Sequence, residues 1–446
     1  MEKEEVEFLP SGLVSCLLDG REVSILKISP EKLTVRVTQE IDNIDCIKVA
    51  FYIFDECIYK EVLIKDYSII EKRKADFSLV YAFSIKAQEY VYNVRNIFKN
   101  YSKYIRLKAF GDVNEFSKEM VGYPEELDYE FYEYYLEQKR DWMLELNYEN
   151  WNENIIDSTE LAITLDNNIL YKKYMDKDIK NFKNDYLKDN FADNYKLFQK
   201  DITRLYIGNQ FCHNLFPDMN LLKNMIKKAK EEKLNITLCF TYMRENYIEK
   251  IKEIINEVYN WCYENNTKIE IIINDFGMIK LVEDKTDYLN LSLGVLLNKR
   301  KKDPRYIYKK GYIENKKLIA ENSLDSSILK KFLKDCNIER YEYENCAYKI
   351  SIAEGSHSLH IPFYQTNTSQ YCPLYAMCKT MDRGKQKLVD GCPNYCKDYV
   401  VMYPKHLKMV GRYNSLFGFD DTLLKNPKEL EQYINSGIDR IVLNFI

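Results

Sequence analysis

Four cysteines near one end of this 446-residue chain have the spacing of a metal site. They form two pairs, with five residues inside the first pair, three inside the second and thirteen between them: Cys372, Cys378, Cys392 and Cys396. Four thiolates can hold a soft metal, and such sets occur in zinc sites and in [4Fe–4S] clusters. Prolines directly after Cys372 and Cys392 favour tight turns whose backbone N–H groups can hydrogen-bond to sulfur. The spacing therefore predicts a cysteine-ligated metal centre.

The distances between the cysteines bear on the identity of the metal. Zinc ribbons more often carry pairs separated by two residues, so the wider pairs here are less typical of a zinc ribbon. Zinc remains the alternative cofactor. A loop-rich segment with four free thiols is a further alternative, but four cysteines within 25 residues seldom gather only to fill a core.

The segment that carries these cysteines alternates between strand-like and helix-like patterns. Short apolar runs at 203–208, 236–240 and 269–273 are separated by stretches with apolar residues at helical spacing. Strand and helix in strict alternation predict parallel strands joined by helices. We therefore expect an α/β fold with a TIM-like barrel over residues 201–446, which could be incomplete or distorted.

Two further regions precede the predicted barrel. Residues 1–120 contain short β-branched and aromatic runs between turn residues, which predict a small β-rich barrel or sandwich, with strand-like sequence as far as Tyr104–Phe110. Residues 121–200 are polar and contain little Gly, Ser or Pro. This composition predicts connecting helices, including one region over Asn167–Lys200, rather than a flexible linker.

Three motifs between residues 200 and 446 are similar, in the same order, to motifs of the collagenase-like peptidase family U32. They are an aliphatic strand followed by a loop with a cysteine, an Asn-Asp-x-Gly turn after the third strand, and the cysteine block: Leu205–His213, Ile272–Gly277 and Cys372–Cys396. The first cysteine pair here is one residue closer than in the family pattern. The resemblance covers more than half of the chain.

The resemblance implies a [4Fe–4S] cluster bound by the four cysteines of the block. Members of the family support hydroxylation of RNA bases or of a quinone precursor, and they often work in pairs or with accessory proteins. It thus implies an enzyme or enzyme subunit that acts on RNA or a small aromatic molecule, with a protein partner or a paired relative. The alternative is a non-catalytic interaction protein with a structural iron–sulfur or zinc site.

Three residues that follow predicted barrel strands are further candidates. In some members of the family a cysteine after the first strand binds the cluster, which makes Cys212 an alternative ligand. Asn274 and Asp275 follow the third strand, at the face where barrels place their active sites. They could position a substrate or act as a base, or they could form only a turn, for which Asn-Asp-x-Gly is favourable.

The composition excludes several other classes of protein. The formal net charge of −4 gives no overall attraction to nucleic acid, and 46% hydrophobic with 30% charged residues is typical of a globular protein. The acidic N-terminus has no apolar core of a secretion signal, and no run approaches the ~20 apolar residues that span a bilayer. We expect a cytoplasmic protein without membrane contact. The sequence contains no peptidase motif such as His-Glu-x-x-His, so true peptidase activity is not expected.

Overall fold

The computed structural model describes residues 12–41, 43–53, 58–75, 78–110, 128–144, 157–304, 314–346, 348–380, 385, 387–389, 391–403 and 407–446. The chain folds into two units. The first comprises residues 1–126 with 404–406, and the second comprises residues 127–403 with 407–446.

The first unit is a seven-stranded antiparallel sheet in the order β5-β4-β1-β2-β3-β7-β6, which confirms the predicted β-rich domain. Its strands are β1 (Val14–Leu18), β2 (Arg21–Ile28), β3 (Lys32–Val37), β4 (Ile47–Ile53), β5 (Ile58–Ile64), β6 (Tyr67–Ala75) and β7 (Ser78–Ile85). Alternate apolar side chains such as Val35, Val49 and Phe83 point to one face and are fully buried. The helix Gln88–Phe110 packs on this face, where the rings of Phe51 and Tyr90 meet edge to face.

The prediction of a strand at Tyr104–Phe110 was wrong, because these residues form the last turns of that helix. Aromatic and β-branched residues over seven positions are typical of strands. Over the longer stretch, however, Tyr90, Val94 and Ile97 recur every three or four residues, and Tyr104 and Leu107 continue the same buried face. The helical period becomes visible only in the longer window.

The second unit contains a closed barrel of eight parallel strands and a separate five-stranded antiparallel sheet. The barrel consists, in chain order, of β9 (Glu160–Leu165), β10 (Arg204–Gly208), β11 (Asn235–Cys239), β12 (Ile269–Ile273), β13 (Leu289–Leu293), β14 (Arg340–Glu344), β15 (His357–Ile361) and β20 (Ile438–Leu443). The last strand pairs with both β15 and β9 and so closes the ring. The TIM-like barrel is confirmed, and it is neither open nor short of strands.

The barrel begins about 40 residues before the predicted start at residue 201, because β9 is its first strand. The sequence analysis assigned this stretch to the helical connector. A five-residue apolar run between polar stretches gives a weak strand signal, and β9 is defined by its partners β10 and β20. The helices that follow, Asn168–Asp176 and Ile179–Asp189, agree with the helical prediction for residues 167–200.

The connections between the barrel strands are mostly helical. Asp218 caps the first helix after β10 by accepting a hydrogen bond from the Leu221 N–H at 2.9 Å. The α-helices after β10 are Met219–Glu231, Ile248–Glu264, Gly277–Val282, Lys316–Ala320, Ser327–Asp335, Pro373–Thr380, Thr422–Lys425 and Pro427–Asn435. Short 3-10 helices occur before β10, at Lys196–Gln199, and after it, at His213–Leu215, Glu245–Tyr247, Ser323–Asp325 and Tyr395–Lys397. None of the helices in the described ranges is long and apolar enough to span a bilayer.

The five-stranded sheet, which the sequence analysis did not predict, carries the cysteine block. Its order is β16-β19-β18-β17-β8, with β8 (Asp128–Phe131), β16 (Phe363–Thr368), β17 (Tyr399–Met402), β18 (Met409–Arg412) and β19 (Ser415–Phe419). Four of these strands are inserted between the last two strands of the barrel, and the fifth comes from before the barrel, followed by the helix Tyr132–Leu144. The insertion starts at the carboxyl end of β15, so it extends from the C-terminal face of the barrel.

Candidate metal centre

Three of the four predicted ligands lie in the wall of one pocket: Cys372, Cys392 and Cys396. The fourth thiol of this wall belongs to Cys212, the predicted alternative ligand, while Cys378 is not among the described residues that line it. We call this space the cysteine pocket. It encloses about 350 Å³ including its open mouth.

Cys212 reaches the pocket because the loop after β10 is fixed by one buried amide. The side-chain oxygen of Asn209 accepts hydrogen bonds from the N–H groups of Phe211 and Cys212, both at 2.8 Å, and its nitrogen donates to the Asp166 carbonyl at 3.0 Å. The strand ends at Gly208 with φ 111°, where a Cβ would lie 2.5 Å from the Cys239 carbonyl oxygen. Only glycine fits this turn, and the turn directs the loop towards the cysteine block.

The turns around Cys372 and Cys392 direct backbone N–H groups at their sulfur atoms, as the prolines predicted. The Tyr375 N–H lies 3.3 Å from Cys372 Sγ, and the Asn394 N–H lies 3.3 Å from Cys392 Sγ. Cys372 Sγ also contacts the carbonyl oxygen of Tyr413 at 3.2 Å. N–H donors of this kind stabilise the negative charge of a metal-bound thiolate.

Burial controls the protonation of the thiols. It raises the pKa of Cys372 and of Cys396 to about 12 and that of Cys212 to about 11. These three thiols therefore keep their protons at neutral pH in the metal-free protein. A metal would have to displace these protons, since only the thiolate is a ligand.

The chemistry of the lining residues fits a soft metal or an iron–sulfur cluster. The described residues that line the pocket supply sulfur as the metal-binding element, with apolar wall from Leu374 and Val389 and with neither carboxylate nor imidazole. Across the described ranges, no three His, Cys, Asp or Glu side chains stand close enough together to hold a single metal ion. The four thiols share a pocket without converging on one point.

Asn274 and Asp275 lie at the C-terminal face as predicted, and their described hydrogen bonds fix loops. The Asn274 nitrogen donates to the Phe240 carbonyl at 2.8 Å, and its oxygen accepts from the Leu296 N–H at 2.9 Å. The Asp275 carboxylate accepts from the Gly277 N–H at 2.8 Å, as in an Asn-Asp-x-Gly turn. These contacts agree with the turn interpretation, and a catalytic role for either residue stays a prediction.

A second pocket adjoins the first and shares Cys212 with it. Its walls are largely aromatic and aliphatic: Phe216, Phe240, Tyr247, Ile251 and Ile254. The Nε2 atom of His213 and the hydroxyl of Thr241 are buried in it without a hydrogen-bond partner among the described residues. Burial lowers the pKa of His213 to about 3, so its imidazole is neutral. The combination suits a small ligand with an apolar body and a polar group.

Two residues that no sequence motif indicated belong to this site: Tyr413 lines the cysteine pocket, and Asp166 lies behind it, bound to Tyr413. The Tyr413 hydroxyl donates to the Asp166 carboxylate at 2.8 Å, while its backbone carbonyl contacts Cys372. A signal for Asp166 was present. It follows the apolar run 161–165 and precedes Asn167, which caps the next helix, and a strand followed by such a cap is typical of a βα connection. Tyr413 stands in a hairpin turn that no local pattern connects to the cysteines.

No protein-family model and no curated protein matches this chain. Among solved structures, the crystal structure of the uncharacterized Legionella protein Lpg0364 is similar to 22% of this chain and 95% of its own, with 19% sequence identity and a TM-score of 0.17. So partial and weak a likeness carries no argument about fold or function. The resemblance to the U32 family stays a prediction.

Proposed function

We propose that this chain is an iron–sulfur protein whose [4Fe–4S] cluster is bound by Cys212, Cys372, Cys392 and Cys396. The observation that carries the proposal is that these four thiols, from two distant parts of the sequence, line one pocket. The proposal exchanges Cys378 for Cys212 in the ligand set. The pocket opens beside loops at the C-terminal face, which is where barrel enzymes bind their substrates.

We further propose that the protein is an enzyme or enzyme subunit for a hydroxylation-type modification of RNA or of a small aromatic molecule. The similarity of three sequence motifs to the U32 family supports this reaction class, and so does the possession of a barrel. A cluster bound by four cysteines would supply electron transfer. The residues of the chain would hold the thiolates through N–H donors at Cys372 and Cys392. The apolar pocket that shares Cys212 favours a small aromatic substrate over RNA.

Anaerobic reconstitution with iron and sulfide tests the ligand set. The wild-type protein should become brown and contain about four iron and four sulfide per chain. Cys212→Ala should lose most of this iron, whereas Cys378→Ala should keep it. The two variants are matched, because each removes one thiol from the same protein.

Two results would contradict this proposal. A colourless protein with stoichiometric zinc would favour the alternative of a structural zinc site in an interaction protein. Iron loss in Cys378→Ala together with full iron in Cys212→Ala would restore the ligand set of the cysteine block alone. Comparison of modified nucleosides and aromatic metabolites after deletion of the gene then distinguishes the two substrate classes.

A further inference from the structure

A permanently charged side chain is buried behind the cysteine pocket. Arg412, at the end of β18, is only 7% exposed. The centre of its guanidinium lies 4.4 Å from the ring centroid of Tyr132 and 5.1 Å from that of Tyr413. Its Nε atom is 3.5 Å from the backbone carbonyl oxygen of Cys396. Aromatic faces attract a cation but do not neutralise it, so the positive charge persists inside the fold.

A buried carboxylate is bound to the same tyrosine. Asp166 is 5% exposed, and each of its oxygens accepts a hydrogen bond at 2.8 Å, one from the Tyr413 hydroxyl and one from the Asn167 amide. Acceptance at both oxygens is the pattern of the ionised form. Burial raises the pKa of Asp166, and the charge of Arg412 opposes that rise. The ring of Tyr413 thus packs against the guanidinium of Arg412, and its hydroxyl donates a hydrogen bond to the carboxylate of Asp166.

Arg412 contacts a proposed ligand directly, and Asp166 is connected to one through Tyr413. Arg412 touches the backbone of Cys396, and Tyr413, which joins the two charges, touches Cys372 Sγ through its carbonyl oxygen. Charges act over longer distances inside a protein than in water, because the effective dielectric constant is lower. Reduction of a cluster by one electron adds a negative charge in this region. A nearby cation favours that step and a nearby anion disfavours it.

We propose that Arg412 raises, and Asp166 lowers, the reduction potential of a cluster held in the cysteine pocket. The two residues set the potential as an opposed buried pair and do not themselves bind the cluster. This inference rests on the proposed function, because it requires a cluster at this place. Lys397 provides the natural comparison: it carries the same charge and is adjacent to Cys396 in sequence, but its side chain is 56% exposed and is screened by water.

The test is an anaerobic redox titration of the reconstituted protein, with dithionite as reductant and the cluster followed by its electron paramagnetic resonance signal. Arg412→Gln should shift the midpoint potential to more negative values, and Asp166→Asn should shift it to more positive values. Arg412→Lys keeps the charge and should stay close to the wild type. Lys397→Gln, the exposed control, should also leave the potential nearly unchanged.

Opposite shifts from two neighbouring residues are not expected of a purely structural role. The inference is overturned if Arg412→Gln shifts the potential no further than Lys397→Gln does, and the role of Asp166 is overturned if Asp166→Asn leaves it unchanged or makes it more negative. If Arg412→Gln fails to fold, the nearly isosteric Asp166→Asn still decides the question. Iron counts separate the two proposals: wild-type protein without iron overturns both, and iron with unmoved potentials overturns this one alone.

Discussion

Two buried polar regions of the second unit differ in how their atoms are paired. Inside the barrel, Arg440 donates to Glu160 and to Glu270, each at 2.6 Å, and to the Tyr206 hydroxyl at 2.9 Å. The carboxylate of Glu342 binds the Tyr206 hydroxyl at 3.2 Å and His360 at 2.8 Å. In this network Arg440 pairs with carboxylates, hydroxyl and imidazole groups complete the remaining contacts, and every link is made by side chains of the barrel strands themselves.

The cysteine pocket is built in the opposite way. The hydrogen bonds described for the sulfur atoms of Cys372 and Cys392 are made with backbone groups, and no Lys or Arg is among the described residues that line the pocket. The barrel network is completed by its own side chains, whereas a pocket that holds the proposed cluster would gain its remaining partners from that cluster. Variants of the network should therefore reduce stability and spare cluster loading. Variants of the pocket should do the reverse.

The largest loss of stability is expected for Arg440→Met. This change removes the buried cation that Glu160 and Glu270 share, although Glu160 keeps Arg204 at 2.9 Å and Glu270 keeps Arg340 at 3.7 Å. Loss of one partner of a buried ion pair typically costs about 3–5 kcal/mol, so we expect a loss near the lower end of that range. Urea unfolding of the metal-free protein measures the loss. Lys223→Met is the control, because its ion pair with Glu257 is exposed and should contribute within about 0.5 kcal/mol. If the Arg440→Met protein is as stable as this control, the barrel network does not stabilise the fold more than an exposed ion pair does.

A buried carboxylate without a close cation should show the reverse pH dependence from one inside the network. Burial raises the pKa of Asp420 to about 6, whereas His360 and the barrel cations hold the pKa of Glu342 below its usual range in spite of burial. The folded protein thus binds the Asp420 proton more tightly than the unfolded chain does. Its stabilising contribution is complete below about pH 4 and is lost as the pH rises through about 6.

The variant Asp420→Asn tests this sign. It keeps a neutral group at every pH, so its stability relative to the wild type should improve between pH 4.5 and 7.5 by on the order of 2 kcal/mol. Urea unfolding at the two pH values gives the difference. Glu342→Gln is the counterpart in the network: its stability relative to the wild type should fall as the pH rises from about 2 to about 4.5 and should change little between pH 4.5 and 7.5. If the stability of the two variants relative to the wild type changes with pH in the same way, the pKa values of the two carboxylates are not shifted in opposite directions.

A smaller effect is expected from Tyr206→Phe. The change removes one hydroxyl that Arg440, Ser358 and Glu342 share, at 2.9 to 3.3 Å. Because these three groups retain other partners, the free energy of unfolding should fall by about 1–2 kcal/mol, and reconstituted iron should remain at the wild-type level. Iron loss comparable to that of the cysteine variants would link the network to the pocket and contradict the comparison.

The smallest effect on stability is expected in the pocket itself. Cys372→Ala should lower the stability of the metal-free protein by about 1 kcal/mol or less, since a single partly buried sulfur is removed. The same variant should fail to retain a cluster. Measurement of urea unfolding and of iron content in one preparation separates the two effects. A loss of several kcal/mol without metal would instead assign the thiol to the core beneath the five-stranded sheet.

Much of the barrel could be predicted because its signals are local. The helix after Asp218 has apolar residues at helical spacing and an acidic cap, and the structure forms it over Met219–Glu231. The strand β9 could not be delimited, because it is short and its paired residues are 42 positions away in β10 and 280 positions away in β20. The antiparallel sheet around the cysteines was missed for the same reason, because β8 pairs with β17, and seven of the eight barrel strands lie between these two strands in sequence.

The sequence by itself determined which residues could carry chemistry, because cysteine spacing and proline positions act over a few residues. It indicated the parallel barrel, since the alternation of strand and helix is also a local property. Only the tertiary structure decided which thiols share a pocket. Cys212 is 160 residues from Cys372 in the chain, and it joins the other thiols because the loop after β10 and the insertion after β15 lie at the same face of the barrel. Cys378 is close in sequence, but its place on the helix Pro373–Thr380 keeps it out of the wall. Distance along the chain therefore does not predict which cysteines meet, because the pairing of distant strands determines which loops lie side by side.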